Sequence, residues 1–268
     1  MRLPLTKHHG LGNDFLVLLD LDGLRPVSAA DAVALCHRRT GIGADGLLRV
    51  TAGTAGADVT MELRNADGSI AAMSGNGIRC LAQAVFQAGL AAPPTLRVAT
   101  AAGLRTVTVL ARTAVDTHRM RVEMGTAKVL EDEPEWVTGE VRRATRVDLG
   151  NPHLVLHWGG PELPDVDALV ALAAPIDAAT PGGVNVEVIR PSGPAGELDL
   201  VVFERGVGPT QACGTGACAA AAAAEAWELA GAQTTVHMPG GSVEVTVADP
   251  VLLTGDATSV AIFDTPWP

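Results

Sequence analysis

The fold of this chain is decided by the stretch Ala212-Cys213-Gly214-Thr215-Gly216, which leads into a segment made only of alanine, 219–224. Because alanine favours helices and glycine does not, a helix is predicted to begin near Thr215. Cys213 would then lie just before the helix N-terminus, where free backbone N–H groups and the helix dipole favour an anion. We therefore expect Cys213 to have a lowered pKa and to be partly thiolate. Taken alone, the pattern also fits a small buried cysteine in a glycine-rich turn.

The same pattern occurs once more in the first half of the chain. The stretch Met73-Ser74-Gly75-Asn76-Gly77 precedes another helical segment, and the offset from Ser74 to Cys213 is 139 residues (213 − 74). Three further pairs lie at offsets of 138 or 139 residues: Asn13 with Asn151, Asn65 with Glu204, and Gly46 with Asn185. Four matches at nearly one offset indicate an internal duplication.

The duplication predicts the fold class. We expect an α+β protein with two pseudo-symmetric domains, each a mixed or antiparallel β-sheet wrapped round a central helix. The first domain is predicted over 1–117, joined by a C-terminal strand at 258–268, and the second over 118–257. If the two domains face each other, the helix N-termini after Ser74 and Cys213 converge on one anion-binding cleft, which is where we expect the active site.

Two opposed proton-handling groups suit the inversion of a carbon stereocentre. One group removes a proton from one face of the carbon, and the other returns a proton to the opposite face. A cysteine hydrolase that uses Cys213 and His153 is an alternative, but it would gain nothing from a second, related turn.

Composition and charge exclude several classes of protein. The 268 residues carry a formal net charge of −11, which argues against a nucleic-acid partner. No apolar run approaches the roughly 20 residues of a membrane span, and the N-terminal residues lack the core of a signal peptide, so we expect a soluble cytoplasmic protein. The 4 cysteines form no C-x-x-C motif, and we expect no metal. Lys7 and Lys128 leave few candidates for a pyridoxal-phosphate Schiff base, and the lack of tyrosine excludes a tyrosine acid or base.

Five motifs together resemble diaminopimelate epimerases, and the resemblance covers essentially the whole chain. The motifs are Gly12-Asn13-Asp14-Phe15, Asn65-Ala66-Asp67-Gly68-Ser69, Gly75-Asn76-Gly77-Ile78-Arg79, Gly150-Asn151-Pro152-His153, and Glu204-Arg205 with Ala212-Cys213-Gly214-Thr215-Gly216. The resemblance implies a cofactor-independent, two-base epimerase that interconverts LL- and meso-diaminopimelate. It also implies two pseudo-symmetric domains and a homodimer.

The resemblance further implies the roles of the site residues. Backbone N–H groups at Gly75-Asn76 and Gly214-Thr215 would hold the substrate's α-carboxylate, while His153 and Glu204 would tune the catalytic thiols. The polar ends of the substrate would be held by Asn13, Asn65, Asn151, Asn185, Glu204 and Arg205.

Ser74 departs from the family pattern, which has cysteine at this position. A serine hydroxyl is a much weaker acid than a thiol, whose reference pKa is about 8.5. Cys80 cannot substitute, because six residues along a helix place it roughly 9 Å away. We interpret Cys80, like Cys36 and Cys218, as a packed core thiol.

Three explanations of Ser74 are open: a natural variant that still transfers a proton, an engineered Cys-to-Ser form, or drift to another reaction. A non-catalytic amino-acid binder descended from the family is a further alternative. If the chain is an epimerase, we expect Cys213 to be the competent base and Ser74 the weaker partner. Gly46 is a lesser departure, at a position where some members carry glutamine.

Overall fold

The computed structural model describes residues 2–54, 56–193 and 196–266. The chain divides into two compact units, one formed by the residues up to Val122 together with those from Gly255 onward, the other by Glu123–Thr254. The sequence had placed these divisions after residues 117 and 257. Among the described residues, no helix has the length and apolar character that a membrane crossing requires.

The first unit is a mixed sheet around one helix. Its strands pair antiparallel or parallel in alternation, and the helix α2 packs against several of them. The elements are β1 (Arg2–Gly10), β2 (Asn13–Leu19), α1 (Ala29–Cys36), β3 (Gly46–Ala52), β4 (Val59–Asn65), β5 (Ile70–Ala71), α2 (Gly75–Gln87), β6 (Thr95–Thr100), β7 (Gly103–Ala114) and β8 (Thr117–Gly125).

The second unit has the same plan, with the helix α4 against its strands. Its elements are β9 (Lys128–Asp132), a short 3-10 helix (Pro134–Trp136), β10 (Val141–Asp148), β11 (Pro152–Trp158), α3 (Val166–Ala179), β12 (Asn185–Pro191), β13 (Glu197–Glu204), β14 (Gly208–Thr210), α4 (Gly214–Ala226), β15 (Gln233–Met238), β16 (Gly241–Thr246) and β17 (Val251–Pro266). The division between the units falls inside β8 and inside β17.

The strand registers repeat between the units. Phe15 pairs with Gly46 in the parallel β2–β3 ladder, and His153 pairs with Asn185 in the parallel β11–β12 ladder. The antiparallel pair Leu47↔Arg64 recurs as Val186↔Phe203, and the parallel pair Val59↔Val98 recurs as Leu198↔Val236. The predicted fold class, two similar sheets each wrapped round a central helix, is confirmed.

The central helix α4 is buried because its surface is apolar or small all round, whereas α2 buries the polar side chains of Asn76, Arg79 and Gln83, which are hydrogen-bonded. In α4 every residue from Gly214 to Ala224 is buried, and in α2 the same holds from Gly75 to Val85. A helix without a polar stripe is stable only when it is enclosed. Small side chains let the strands of the second unit lie close to the backbone of α4.

Candidate active site

Ser74 and Cys213 are the N-caps of the two central helices. Their backbones have nearly the same conformation, φ −144° and ψ 122° at Ser74 against φ −126° and ψ 115° at Cys213. The Ser74 Oγ accepts a hydrogen bond from the Gly77 N–H at 3.0 Å, and the Cys213 Sγ accepts one from the Gly216 N–H at 3.4 Å. The predicted location of both side chains at a helix N-terminus, beside free backbone donors, is confirmed.

A network of amides surrounds the Ser74 cap. The Nδ2 of buried Asn76 donates to the Oδ1 of Asn13 at 3.4 Å, and its Oδ1 accepts from the guanidinium of Arg79 at 2.7 Å. Arg79 is itself buried and donates to the carbonyl oxygen of Gly75 at 2.8 Å. The structure therefore brings Asn13 and Asn76 together next to Ser74 and fixes the first turn of α2.

The Asn13 side chain contacts a charged cluster formed by Asp45, Arg38 and Asp14. The Asn13 Nδ2 donates to Asp45 at 3.0 Å, and Arg38 contacts both Asp45 (2.6 Å) and Asp14 (2.7 Å). Burial alone would raise the pKa of Asp14, but the hydrogen bonds from Arg38 and Lys7 outweigh it and lower the pKa to about 2. Asp14 therefore stays ionised at neutral pH, and the hydrogen bond to Asp45 orients the Asn13 amide.

The remaining candidate positions of the first unit lie on β3 and β4. Asn65 pairs with Gly46 across the ladder, and its Nδ2 donates to the Ser69 Oγ at 3.0 Å. A Cβ at Gly46 would lie 2.9 Å from the Arg64 carbonyl oxygen and 3.1 Å from the Phe15 ring. A side chain at position 46 would therefore force its neighbours to move, so the first unit has no counterpart of the Asn185 amide.

The Cys213 cap repeats the arrangement of the first unit. Thr215 takes the place of Asn76, and its Oγ1 lies 3.5 Å from the Cys213 Sγ and 3.5 Å from the Asn151 Nδ2. Glu204, at the end of β13, accepts a hydrogen bond from the Thr210 hydroxyl at 2.7 Å, and its charge acts on the nearby Cys213 thiol. Thr215, Asn151 and Glu204 therefore meet around the Cys213 thiol.

Asn185 and Arg205 lie at the edge of this group. The Asn185 Oδ1 accepts from the Arg205 backbone N–H at 3.0 Å, and its Nδ2 donates to the Pro152 carbonyl oxygen at 3.0 Å. The exposed Arg205 guanidinium donates to the Gly182 carbonyl oxygen at 3.2 Å. Asn185 therefore ties together the turns that carry His153 and Arg205.

The expected lowering of the Cys213 pKa is wrong. Burial, followed by the negative charges of Glu204 and Glu187, raises the pKa of Cys213 well above its ordinary value, against the hydrogen bonds of Thr215 and Gly216. Burial also raises the pKa of Glu204, against the hydrogen bond of Thr210. Desolvation and two carboxylates outweigh a helix end that carries about half a charge.

Glu187 and His153 form a buried pair that the sequence did not point out. Both side chains are fully buried, and the His153 Nδ1 lies 2.8 Å from the Glu187 Oε1. Within the described part of the chain, the His153 Nε2 and the Glu187 Oε2 have no hydrogen-bond partner. The first unit has Phe15 and Leu48 at the corresponding positions, both buried. The available signal was one charged residue inside the valine-rich segment 184–189.

The other cysteines have no place in the site. Cys36, Cys80 and Cys218 are buried, as predicted for packed core thiols. Burial raises the pKa of Cys36 and the pKa of Cys80, each to about 12.

The two helix-starting glycines Gly216 and Gly77 give a matched stability test. A Cβ at Gly216 would lie 2.7 Å from the Glu187 Oε1, whereas at Gly77 the nearest atom would be the Ser74 Cβ at 3.1 Å. We expect Gly216→Ala to lower the free energy of unfolding by about 1–2 kcal/mol, because overpacking displaces a buried carboxylate. Gly77→Ala should be near neutral, since the gain in helix propensity offsets a milder contact. Denaturant unfolding measures both, and equal midpoints would contradict this geometry.

Proteins of known structure share this fold. A hydroxyproline epimerase from Agrobacterium vitis superposes with a TM-score of 0.72 at 18% identity, over 98% of this chain and 92% of the other. A phenazine biosynthesis protein of the PhzF family from Bacillus anthracis gives a TM-score of 0.71 at 13% identity, with both chains fully covered. These likenesses establish the duplicated fold.

The sequence comparisons place the chain in a class, the amino-acid racemases and epimerases that work without pyridoxal phosphate. The sequence profile described as diaminopimelate epimerase matches residues 5–130 and 145–260. A diaminopimelate epimerase from Mycolicibacterium paratuberculosis is 44% identical, over 92% of this chain and 91% of its own. Another from Corynebacterium aurimucosum is 39% identical, over 98% and 99%. The chain belongs to the diaminopimelate epimerase family.

Proposed function

We propose that this protein interconverts LL- and meso-diaminopimelate without a cofactor, by a two-base mechanism in which Cys213 and Ser74 act on one Cα. The observation that carries the proposal is the repeated cap: two hydrogen-bonding side chains occupy the same N-cap conformation on duplicated helices. A two-base inversion needs one proton-transfer group on each face of the carbon.

In this proposal Cys213 is the base that removes the Cα proton, and Glu204 accepts the proton of the Cys213 thiol. The charge of Glu204 acts on the Cys213 thiol, and the pKa of each group is raised, mainly by burial. Transfer of the Sγ proton to the Glu204 carboxylate leaves a thiolate in a desolvated site, where it is a stronger base than in water. The weakly acidic Cα–H of an amino acid needs such a base.

Ser74 is the partner on the opposite face. Its hydroxyl donates a proton to the carbanion more readily than it abstracts one from an unactivated Cα–H, since its alkoxide is scarce near neutral pH. The proposal assigns the substrate's α-carboxylate to the first-turn N–H groups of both helices, at Gly75-Asn76 and Gly214-Thr215. It assigns the polar ends of the substrate to Asn13, Asn65, Asn151, Asn185, Glu204 and Arg205. The family resemblance supports a homodimer.

The test is hydrogen exchange at Cα. Purified protein incubated with LL-diaminopimelate in heavy water, without pyridoxal phosphate, is expected to incorporate deuterium at Cα and to form the meso isomer, as followed by NMR. L-lysine, which lacks the second amino-acid centre, is the control and should exchange at least about tenfold more slowly, because it lacks the distal carboxylate.

The serine at position 74 favours one competing function, a non-catalytic binder of the same amino acid. Tight binding of diaminopimelate in calorimetry with no hydrogen exchange, in both the native chain and Ser74→Cys, would establish the binder and end the epimerase proposal.

A further inference from the structure

The buried pair Glu187–His153 lies beside the thiol that the proposed function uses. Glu187 is on β12, where its neighbours across the two ladders are Val155 and Val202, so the adjacent strands give it no polar partner at these positions. A Cβ at Gly216 would lie 2.7 Å from the Glu187 Oε1. The carboxylate therefore lies against the first turn of α4, at the residue whose N–H donates to the Cys213 Sγ.

Burying the Glu187–His153 pair costs free energy through desolvation, so stability alone does not account for it. A buried carboxylate and its partner often stabilise a fold no better than apolar residues of similar size. The first unit has that apolar alternative, because Phe15 and Leu48 occupy the corresponding positions and are buried. The same fold therefore forms without such a pair, and the Glu187–His153 pair occurs in the unit that carries the Cys213 thiol.

We propose that Glu187 is a positioning residue for the reaction at Cys213. Its carboxylate holds the His153 ring by the 2.8 Å contact at Nδ1, and its negative charge, set against the first turn of α4, keeps the proton on the Cys213–Glu204 pair until substrate binds. An ionised carboxylate oxygen can only accept a hydrogen bond, so Nδ1 carries the hydrogen and Nε2 is the nitrogen left free. This inference rests on the proposed function of Cys213.

The charged side chains around the Cys213 thiol determine whether removing the charge of Glu187 raises or lowers the pKa of that thiol. Cys213 faces Glu204 from β13 and Glu187 from β12, and His153 from β11 lies next to these carboxylates. The charges of Glu204 and Glu187 both act on the pKa of Cys213. Since each carboxylate raises that pKa, removing the charge of Glu187 lowers it, and the thiolate then forms at lower pH.

The experiment is Glu187→Gln, which keeps an acceptor for the His153 Nδ1 but removes the charge. We expect the rising limb of kcat/KM against pH to move to lower pH and kcat to fall about tenfold, with KM within about twofold because Glu187 does not bind substrate.

Iodoacetamide alkylation of Cys213, quantified by peptide mass spectrometry across pH, should show the same downward shift of its midpoint. The alkylation measurement needs no turnover, so it separates failure of this inference from failure of the proposed function.

The control is Glu197→Gln. Glu197 forms an equivalent contact with His237 at 2.9 Å, but both side chains are more than a third exposed. This variant should match the native protein in both pH profiles. An unchanged alkylation midpoint in a folded Glu187→Gln variant would overturn the inference.

A second variant covers the case in which Glu187→Gln does not fold. The double variant His153→Phe with Glu187→Leu copies the apolar arrangement of Phe15 and Leu48 and leaves no buried charge unpaired. We expect it to fold, to show the lowered alkylation midpoint and to lose at least about tenfold in turnover. A native midpoint in this variant would reject the role of Glu187.

Discussion

Cys213→Ala is expected to lower Cα hydrogen exchange by about 10³-fold or more, the scale of a lost acid–base group. Cys213 is the residue at which Thr215, Asn151 and Glu204 converge. Glu204 does not replace the thiol, because the alanine variant removes the sulfur atom that abstracts the Cα proton. The measurement is deuterium incorporation from heavy water into diaminopimelate, at matched protein concentration.

Cys218→Ala is the matched control for that loss. Cys218 is on the same helix, is fully buried and lies outside the group around the cap. Its removal should cost stability through a small cavity while leaving the exchange rate per folded molecule within about twofold. An exchange rate in Cys213→Ala equal to that of the native protein would reverse the assignment of the base.

Ser74→Cys is expected to raise turnover, by about tenfold or more. A thiol with a reference pKa of about 8.5 gives and takes protons near neutral pH far more readily than a hydroxyl. The new thiol inherits an N-cap whose backbone matches that of Cys213 within about 20° in φ and ψ, so the replacement needs little rearrangement. The rise should be seen in both directions of the interconversion.

Ser28→Cys separates this effect from a change in helix capping. Ser28 caps α1, and its side chain accepts a hydrogen bond from the Asp31 N–H at 3.2 Å. Both variants weaken a serine cap, and each should lower stability by up to about 1 kcal/mol. Only the change at position 74 should alter turnover. Turnover that is unchanged in Ser74→Cys would mean that position 74 does not transfer the proton.

Much of the fold followed from one repeated turn. The offset between Ser74 and Cys213 predicted two equivalent units, and the ladder pairs that begin at Phe15 and at His153 confirm that equivalence strand by strand. Glycines around a polar residue, followed by small apolar residues, define a helix start by local rules alone. For that reason the caps and the central helices could be predicted from the sequence.

The electrostatics of the site could not be predicted in the same way. The rise in the pKa of Cys213 comes from burial and from carboxylates on two strands that only the sheet brings to the helix. Glu187 gave a weak signal, since an isolated charge in a valine-rich segment also fits an exposed strand position. The local sequence predicts where the helix begins. The carboxylates near the thiol are brought there by the pairing of strands that are distant in the sequence. The convergence of both caps on one substrate remains a prediction.

The split of β8 and β17 between the units has a consequence for biosynthesis. The second unit is one uninterrupted piece of chain, whereas the first needs the segment from Gly255 onward, whose residues pair with β1 from Arg2 to His9. On the ribosome, where domains generally fold as they emerge, the unit made first is therefore completed last. Until then one edge of β1 is unpaired, and an open strand edge is a template for pairing with another chain.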